Sequence, residues 1–452
     1  MSELRRALYP TLRADALAIF EGAIKACNVE AAMERHLRVE GGTLVRPLSG
    51  SEPILLDDYE EVLVIALGKA AVPMSRALLR RLPKGVPVRG VCSGAVLPAH
   101  ADERVKWFVG GHPLPNAESF ASARAALGLL READKRTLVF FLLSGGGSAM
   151  MELPHDPAIS LEEMLKFHRA LVGSGATISE INAVRRRLSA VKGGRLALAA
   201  EPARQVTLVV ADVPVKDVEA VASSPTLPDH AGDYDSREIV DRYGLMARFP
   251  RRVGEWFERT ELDAAPAPNL REPDYEVLLS NDDLVAAACE QARTLGYEAV
   301  VDNACDDWDY KKACGYLLKR FEGLQREESR VCLVSGGEVT VRLEGAVGRG
   351  GRNQHFALEA AVEMVNDADG EIVVLSAGSD GVDGNSEAAG AIADAMTVAR
   401  ARAAGIDAKA ALKRFDSGRV FAALGDAIVT GPTGNNLRDL RVLLGTGRAG
   451  LT

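Results

Sequence analysis

The chain is 452 residues long, carries a formal net charge of −9 and has an isoelectric point of about 5.5. Its length passes the roughly 250–300 residues at which one hydrophobic core stops growing, so two domains are expected. The acidic balance excludes a general binder of nucleic acid or of an anionic membrane surface; an anionic small substrate would need a local basic pocket set against a repelling global field.

The N-terminal stretch MSELRRALYPTLRADALAIFEGAIKAC reads as a mixed-charge amphipathic helix without the apolar block and cleavage site of a signal peptide. No run of about 18 apolar residues follows, so no membrane span is expected. Six cysteines (Cys27, Cys92, Cys289, Cys305, Cys314 and Cys332) lie scattered with no C-x-x-C pair, which suits reduced structural thiols and a cytoplasmic location. The seven histidines form no H-E-x-x-H or comparable ligand set, so a zinc site is not expected.

Glu61 to Leu67 (EVLVIAL) is a continuous apolar strand that runs into Gly68-Lys69-Ala70-Ala71 and then a helix to about Leu82. Lys69 stands at the carboxyl end of that strand, where open α/β sheets bind ligands. By position alone a surface lysine is the commoner case. Val88 to Cys92 and Trp107 to Val109 are short strands, Gly110 to Asn116 (GGHPLPN) is a rigid turn, and Glu118 to Ala133 is a helix. His112, between Gly and Pro, is read as a turn histidine ahead of a catalytic base.

Leu138 to Leu143 (LVFFLL), the most apolar strand, empties into Ser144-Gly145-Gly146-Gly147-Ser148. In a regular element each glycine costs about 0.5–1 kcal/mol relative to Ala, so three in a row between hydroxyls need another reason. A backbone nest for an oxyanion supplies one. Ile178 to Leu188 is a helix carrying Arg185, Arg186 and Arg187, of which at most one or two face a site together, since successive residues lie about 100° apart. Ser189 to Arg195 (SAVKGGR) restarts a helix. Gln205 to Ala211 (QVTLVVA) is a buried strand ending in Asp212-Val213-Pro214. Asp212 takes the position of a catalytic carboxylate in a parallel sheet, slightly ahead of its reading as a cap.

From about His230 to Asp274 the sequence turns charged and Pro-rich (DAAPAPNLREPD), the best linker candidate. Tyr275 to Leu279 is a strand, and Asn281, Asp282 and Asp283 open a helix as cap and dipole residues. Arg330 to Val334 is a buried strand that breaks at Ser335-Gly336-Gly337, and Val339 to Leu343 is a second strand with period-2 alternation. Then come Gly348-Arg349-Gly350-Gly351-Arg352-Asn353-Gln354 and a helix from Phe356 to Val365. Glycines just before a helix let N–H groups converge on an anion, and the arginines add a fork suited to phosphate or carboxylate. An ordinary Gly-rich hairpin exit explains one such loop equally well; the second loop of the same chemistry, at Ser144, tips the balance.

Glu371 to Leu375 leads into Ser376 to Asn385, where Asp380 and Asp383 are candidates for Mg²⁺ through one or two carboxylates, without the EF-hand ligand order. Ala427 to Val429 runs into Thr430-Gly431-Pro432-Thr433-Gly434-Asn435-Asn436, a further polar glycine turn. Strands alternate with helical patterns throughout, so both halves are expected to be α/β layers with largely parallel sheets. Strands that end in glycine loops with Lys, Arg, Ser, Thr, Asn and Asp supply position and charge compensation, nearly all that phosphoryl transfer asks of a protein. No G-x-x-x-x-G-K-[ST] occurs, because Leu63 stands where the upstream glycine is required. No G-x-G-x-x-G occurs either, because Asn353 replaces the last glycine, which counts against a nicotinamide-dependent dehydrogenase.

Eight blocks in order resemble the type-2 glycerate kinases of the MOFRL family, whose members are sometimes labelled hydroxypyruvate reductases. They are LGKAAVPM, GGHPLPNAES, LLSGGGSAMMELP, INAVRRRLSAVKGGRLA, ADVPVKDVEAVASSPTLPD, SGGEVTVRLEGAVGRGGRNQHFALEAA, SAGSDGVDGNSEAAGA and TGPTGNNLRDL, and they extend from about Ala14 to Asp439. The resemblance implies an α/β fold with a Rossmann-like, doubly wound N-terminal domain (1–240), a linker region (241–274), a smaller mixed α/β domain (275–430) and a C-terminal segment (431–452) returning to the cleft between them. It implies ATP-dependent phosphorylation of D-glycerate with Mg²⁺ or another divalent cation, 2-phosphoglycerate being favoured; the alternative is an NAD(P)H-dependent reductase of hydroxypyruvate or tartronate semialdehyde. ATP and D-glycerate are then the small-molecule partners, with neither nucleic acid nor membrane, and the chain is compatible with a homodimer.

By that resemblance Lys69 contacts phosphate or substrate, and Arg352 holds the substrate carboxylate or stabilises transferred charge. The loop Ser144, Gly145, Gly146, Gly147, Ser148 takes a phosphate or carboxylate, with Arg185 and Lys192 adding positive charge. Asp212 is the candidate to orient the attacking hydroxyl or accept its proton, with Asp380 and Asp383 as alternatives for that role or for the metal. Gly350, Gly351, Asn353, Asp380 and Thr433 complete the expected binding set. The chain departs from the family's usual pattern in one loop: Val215 replaces a glycine after ADVP, and Ser224 stands in Ser223-Ser224-Pro225-Thr226 where the family usually has S-G-P-T. Glu387 replaces a shorter carboxylate in the D-G-x-x-D-A-A-G block.

Overall fold

The computed structural model describes residues 3–227, 235–259, 273–343, 348–365 and 371–447. The chain forms two compact units: Val29–Leu278, and a second that runs from Leu279 onward and takes in the chain up to Asn28. The helix Glu3–Ala26, expected in the first domain, therefore belongs to the second. Its Ala16, Ile19, Phe20 and Ala23 are fully buried, and Arg13 reaches Asp394 at 2.6 Å and Asp426 at 2.5 Å. The expected linker also differs. Arg251–Arg259 is a helix that buries Val253 and Phe257, with the Phe257 ring 5.5 Å from Phe249 and 6.2 Å from Phe167. His230 and the stretch 260–272 lie outside the described residues.

In the first unit six strands form one sheet: β1 (Glu61–Leu67), β2 (Val88–Gly94), β3 (Val105–Val109), β4 (Thr137–Ser144), β5 (Arg204–Val210) and β6 (Tyr275–Leu279), in the order β3-β2-β1-β4-β5-β6. The pairs β1–β2, β1–β4, β2–β3 and β4–β5 are parallel. Parallel strands need helical crossovers, which cover both faces, so β1 and β4 can be apolar at nearly every position. The helix Ala117–Leu130 opens with a capping box in which the Asn116 side chain accepts from Ser119 N; Ser160 with Glu163 and Thr177 with Glu180 repeat the device on the helices Leu161–Val172 and Ile178–Leu188.

The second unit's sheet comprises β7 (Glu298–Val301), β8 (Arg330–Gly336), β9 (Ile372–Gly378), β10 (Gly390–Asp394), β11 (Ala427–Ile428) and β12 (Asp439–Thr446), in the order β7-β8-β12-β9-β10-β11. Only the β7–β8 pair is parallel; the four other pairings are antiparallel, against the expectation of a largely parallel sheet. The reason is β12. This strand, within the segment expected to return to a cleft, runs between β8 and β9, antiparallel to both, and its Leu440, Val442, Leu443 and Leu444 are fully buried. Val339 to Leu343 is not a strand: Thr340 makes a single bridge to Asp309. Residues 344–347 of that stretch lie outside the described residues.

A strand at the centre of a sheet should be costly to trim. Leu443→Ala is expected to destabilise the protein by about 2–5 kcal/mol, read from the shift of its urea unfolding midpoint.

Candidate active site

From β1 the chain moves to β2 on one side of the sheet, and from β4 to β5 on the other. The carboxyl ends of β1 and β4 therefore frame the crevice where strand order reverses, which is where open α/β sheets bind ligands. Lys69 follows β1, the Ser144–Ser148 loop ends β4, and Asp212 follows β5 on the same edge of the sheet. The first two loops are stitched together. Lys69 N donates to Gly145 O at 2.8 Å and Ala70 N to Ser144 Oγ at 3.0 Å, while Ser144 Oγ donates to Leu67 O at 3.3 Å. Gly68 sits at φ 112, and a Cβ there would lie 2.3 Å from Ser144 O, so only glycine fits. Ser144 is consequently a buried brace between the two strand ends.

Beyond Ser144, Gly146 adopts φ 82 and, with no side chain to cap with, heads the short helix Gly147–Met150. The first amides of such a turn have no acceptor within the helix and are met from outside it. The exposed His112 lies beside them: a Cβ built on Gly146 would come 3.1 Å from His112 Cδ2. Against the same loop packs the turn Ala222-Ser223-Ser224, with φ values of 52, 62 and 59. Left-handed backbone costs a non-glycine residue about 1–2 kcal/mol, so three in succession are held there by their surroundings. A Cβ on Gly147 would lie 2.8 Å from Ala222 Cβ. Ser223 Oγ is 2.5 Å from Ser148 Oγ and donates to Asn182 Oδ1 at 3.3 Å; Asn182 Oδ1 in turn accepts from Arg185 Nη1 at 3.4 Å. Ser223 and Asn182 were missed from sequence, although the block with Ser224 in place of a glycine marked the strained turn.

Lys192 is not an open cation. It is 1% exposed and its ammonium is paired with the equally buried Glu152, which also accepts from Ser189 Oγ at 2.6 Å and Leu153 N at 2.9 Å. Burial alone would raise the Glu152 pKa, but Lys192 and His168 outweigh it and bring the carboxyl down to about 2. Burial pulls Lys192 below its ordinary value, and Glu152 opposes it. With its extra hydrogen-bond donors the carboxylate stays ionised, and the pair braces the turn Lys192-Gly193-Gly194. That turn holds the strained one, because Gly193 N donates to Ser223 O at 3.2 Å and Gly194 N to Ser224 O at 2.6 Å.

In the second unit the helix Arg352–Met364 begins after Gly351, and its head is already occupied. Asp383 Oδ1 accepts from Asn353 N at 3.0 Å and Oδ2 from Gln354 N at 2.8 Å. A Cβ on Gly351 would come 2.3 Å from Asp383 Oδ1. The preceding amides are bound as well: Gly348 N to Arg414 O at 3.0 Å, Arg349 N to Asp416 Oδ1 at 2.9 Å and Gly350 N to Asn385 Oδ1 at 2.8 Å. The amides of Gly348, Arg349, Gly350, Asn353 and Gln354 are thus taken by the chain's own acceptors. Gly350, Asn353 and Asp383 are engaged with other parts of the chain, Asn353 also accepting from Ser376 Oγ at 2.7 Å. Burial pushes the Asp383 carboxyl up to about 7, against the two amides. The Thr433 hydroxyl is likewise engaged, donating to Ser379 O at 2.6 Å.

Of the loop's two arginines, Arg349 is exposed and Arg352 is paired with carboxylates. Arg352 Nε donates to Asp439 Oδ2 at 2.6 Å and Nη2 to Asp439 Oδ1 at 3.0 Å, while Nη2 lies 2.6 Å from Glu338 Oε1. Burial opposes the charge, but the carboxylates more than offset it and hold the guanidinium protonated. The side chain keeps 36% of its surface exposed, whereas Asp439 is buried. Asp380, half-buried after β9, accepts from Val382 N at 3.0 Å. Among the described residues no group of three or more His, Cys, Asp or Glu is placed to hold a metal ion.

The Glu152 pair has a pH signature. Because the folded-state pKa lies below the ordinary 4.5, its contribution to stability is present above about pH 4.5 and is lost as pH falls toward 2. Glu152→Gln, which strands Lys192 without a counter-charge, is expected to cost about 3–5 kcal/mol at pH 7 and to flatten that acid limb in urea unfolding series.

The family described as a domain of unknown function (DUF4147) matches residues 15–258, and the MOFRL family matches residues 331–439. The glycerate 2-kinase of Pyrococcus horikoshii is 33% identical over 450 residues, covering 98% of this chain and 99% of its own length. A crystal structure of glycerate kinase from Thermotoga maritima aligns with a TM-score of 0.79 at 30% identity, covering 97% of this chain and 100% of that one. A relative from Agrobacterium vitis, 36% identical across 84% of this chain and 98% of its own, is provisionally named a hydroxypyruvate reductase. Matched along nearly its full length by glycerate kinases, the chain belongs to the MOFRL-type glycerate kinase family.

Proposed function

We propose that the protein transfers the γ-phosphoryl group of ATP to a hydroxyl of D-glycerate, with 2-phosphoglycerate as the favoured product. The observation that carries this is the glycine turn Gly145–Ser148, set beside Lys69 at the strand-order reversal of the first unit. Backbone amides and a cation at that place suit phosphate or carboxylate oxygens. The reaction breaks the bond between the β,γ-bridging oxygen and the γ-phosphorus and forms one from the glycerate hydroxyl to that phosphorus. Asp212 orients that hydroxyl and takes its proton, Lys69 and Arg185 compensate phosphate charge, and Arg352 binds the carboxylate or the transferred group. A divalent cation held by one or two carboxylates and by phosphate oxygens would offset further negative charge. Asp380 is the candidate for it, since both Asp383 oxygens are engaged with amides. Six buried thiols agree with a reducing, cytoplasmic setting. No described helix is long and apolar enough to cross a membrane.

Reduction of hydroxypyruvate ranks second. The order β3-β2-β1-β4-β5-β6 is that of dinucleotide-binding sheets, and the Agrobacterium vitis relative carries the reductase name. Against it, the β1 turn is Gly68-Lys69-Ala70-Ala71, which lacks the glycines that admit a pyrophosphate.

Parallel assays separate the two: ATP, Mg²⁺ and D-glycerate in one, NADH or NADPH with hydroxypyruvate in the other. ADP and 2-phosphoglycerate are expected in the first; cofactor oxidation in the second without ADP release in the first would overturn the ranking. In Arg352→Ala, kcat/KM for glycerate phosphorylation is expected to fall by at least about 2–3 kcal/mol of transition-state binding. Because the variant leaves Asp439 buried without its partner, its unfolding midpoint is measured alongside. A wild-type rate would remove Arg352 from the reaction.

A further inference from the structure

The strained turn beside the glycine loop poses a chemical question. Glycine at Ala222, Ser223 and Ser224 would relieve the left-handed backbone, yet the chain keeps side chains at all three. Each has a separate use. The Ala222 methyl packs on Gly147, and Ser224 Oγ donates to Glu219 O at 2.5 Å, which closes the turn on itself. Ser223 does neither. Its hydroxyl, 1% exposed, lies between Ser148 Oγ at 2.5 Å and Asn182 Oδ1 at 3.3 Å.

A hydroxyl carries one proton, so this arrangement has two states. If Ser223 donates to Asn182, Ser148 satisfies Ser223 by donating to it, and the Ser148 oxygen offers only lone pairs to a ligand. If Ser223 donates to Ser148 instead, the Ser148 proton is released toward a ligand, and Asn182 Oδ1 retains Arg185 Nη1 as its donor. An anion beside Ser148 accepts hydrogen bonds only, so its arrival favours the second state.

We propose that Ser223 is a positioning residue that turns the Ser148 hydroxyl into a donor toward an anionic reactant, and that the left-handed turn exists to hold Ser223 in that place. This rests on the reading of Gly145–Ser148 as the seat of a reactant's anionic oxygens. Ser223 touches no reactant; it acts through Ser148.

The test is steady-state kinetics of S223G, S223A, S148A and the double variant S148A/S223G, with thermal unfolding of each. S223G removes backbone strain and the hydroxyl together, so its melting temperature is expected to equal or exceed that of S223A. Its KM for ATP or for glycerate is expected to rise about tenfold, the scale of one hydrogen bond to a charged oxygen, with a smaller change in kcat. The double variant is expected to match S148A, since without Ser148 there is nothing left to aim. A purely structural Ser223 would instead give a KM that recovers as stability recovers. Wild-type KM values in S223G, or additive losses in the double variant, would overturn the positioning role while S148A remains impaired. Wild-type KM values for both reactants in S148A would overturn the anion-seat reading itself. Should S223G not fold, S223A reads the same KM.

Discussion

The contact on which the first unit depends is the meeting of Gly68 with Ser144 where β1 and β4 end side by side. A side chain at Gly68 has no room against the Ser144 carbonyl, and the Ser144 hydroxyl binds both the Leu67 carbonyl and the Ala70 amide. Two strand ends are thereby joined into one platform, with Lys69 on one margin and the Gly145–Ser148 turn on the other. Fixed dipoles and a fixed cation are useful to phosphoryl transfer because they need not reorganise as charge moves. The platform is rigid by construction, and its third wall, the Ala222–Ser224 turn, is held out of the ordinary backbone range by Gly193, Gly194 and the buried pair Lys192–Glu152.

The two units use glycine turns in opposite ways. At Gly147 the helix follows Gly146, which has no side chain to offer its first amides. At Arg352 the corresponding amides are closed by Asp383, and at Gly336, Gly337 and Glu338 by Asn303, Asn281 and Asp306. Backbone donors away from water require an acceptor in either case. What differs is whether the acceptor arrives with a ligand or belongs to the chain; in the second unit even the Arg352 guanidinium is paired, with Asp439 and Glu338.

That difference explains what was legible in the sequence. The first unit's strands could be read because a parallel sheet covered on both faces writes continuous apolar runs, as in EVLVIAL and LVFFLL, and because glycines and polar residues follow them at once. The glycine turn of Ser144–Ser148 was equally local. The filling of the Gly348–Gly351 loop was not, since the acceptors Asp383, Asn385, Asp416 and the Arg414 carbonyl come from later elements that only the folded chain brings to it. Lys192 was misjudged for the same reason: a lysine beside two glycines looks like a phosphate ligand until Glu152 is folded against it. The strand β12 and the return of Glu3–Ala26 to the second unit are matters of strand order and helix docking, which no short pattern encodes. The composition of the strained turn was visible, but its backbone angles were not.

The central claim is that the glycine turn of the first unit receives a reactant's anion while the Gly350 amide of the second unit is held by Asn385. Glycine-selective ¹⁵N labelling, with the protein titrated by a non-hydrolysable ATP analogue and by D-glycerate, tests it directly. The account predicts saturable shifts of the Gly146 and Gly147 amides with one of the two reactants, while the Gly350 amide keeps its resonance position. Stationary Gly146 and Gly147 signals under saturating amounts of both, with the Gly350 signal moving in their place, would contradict it.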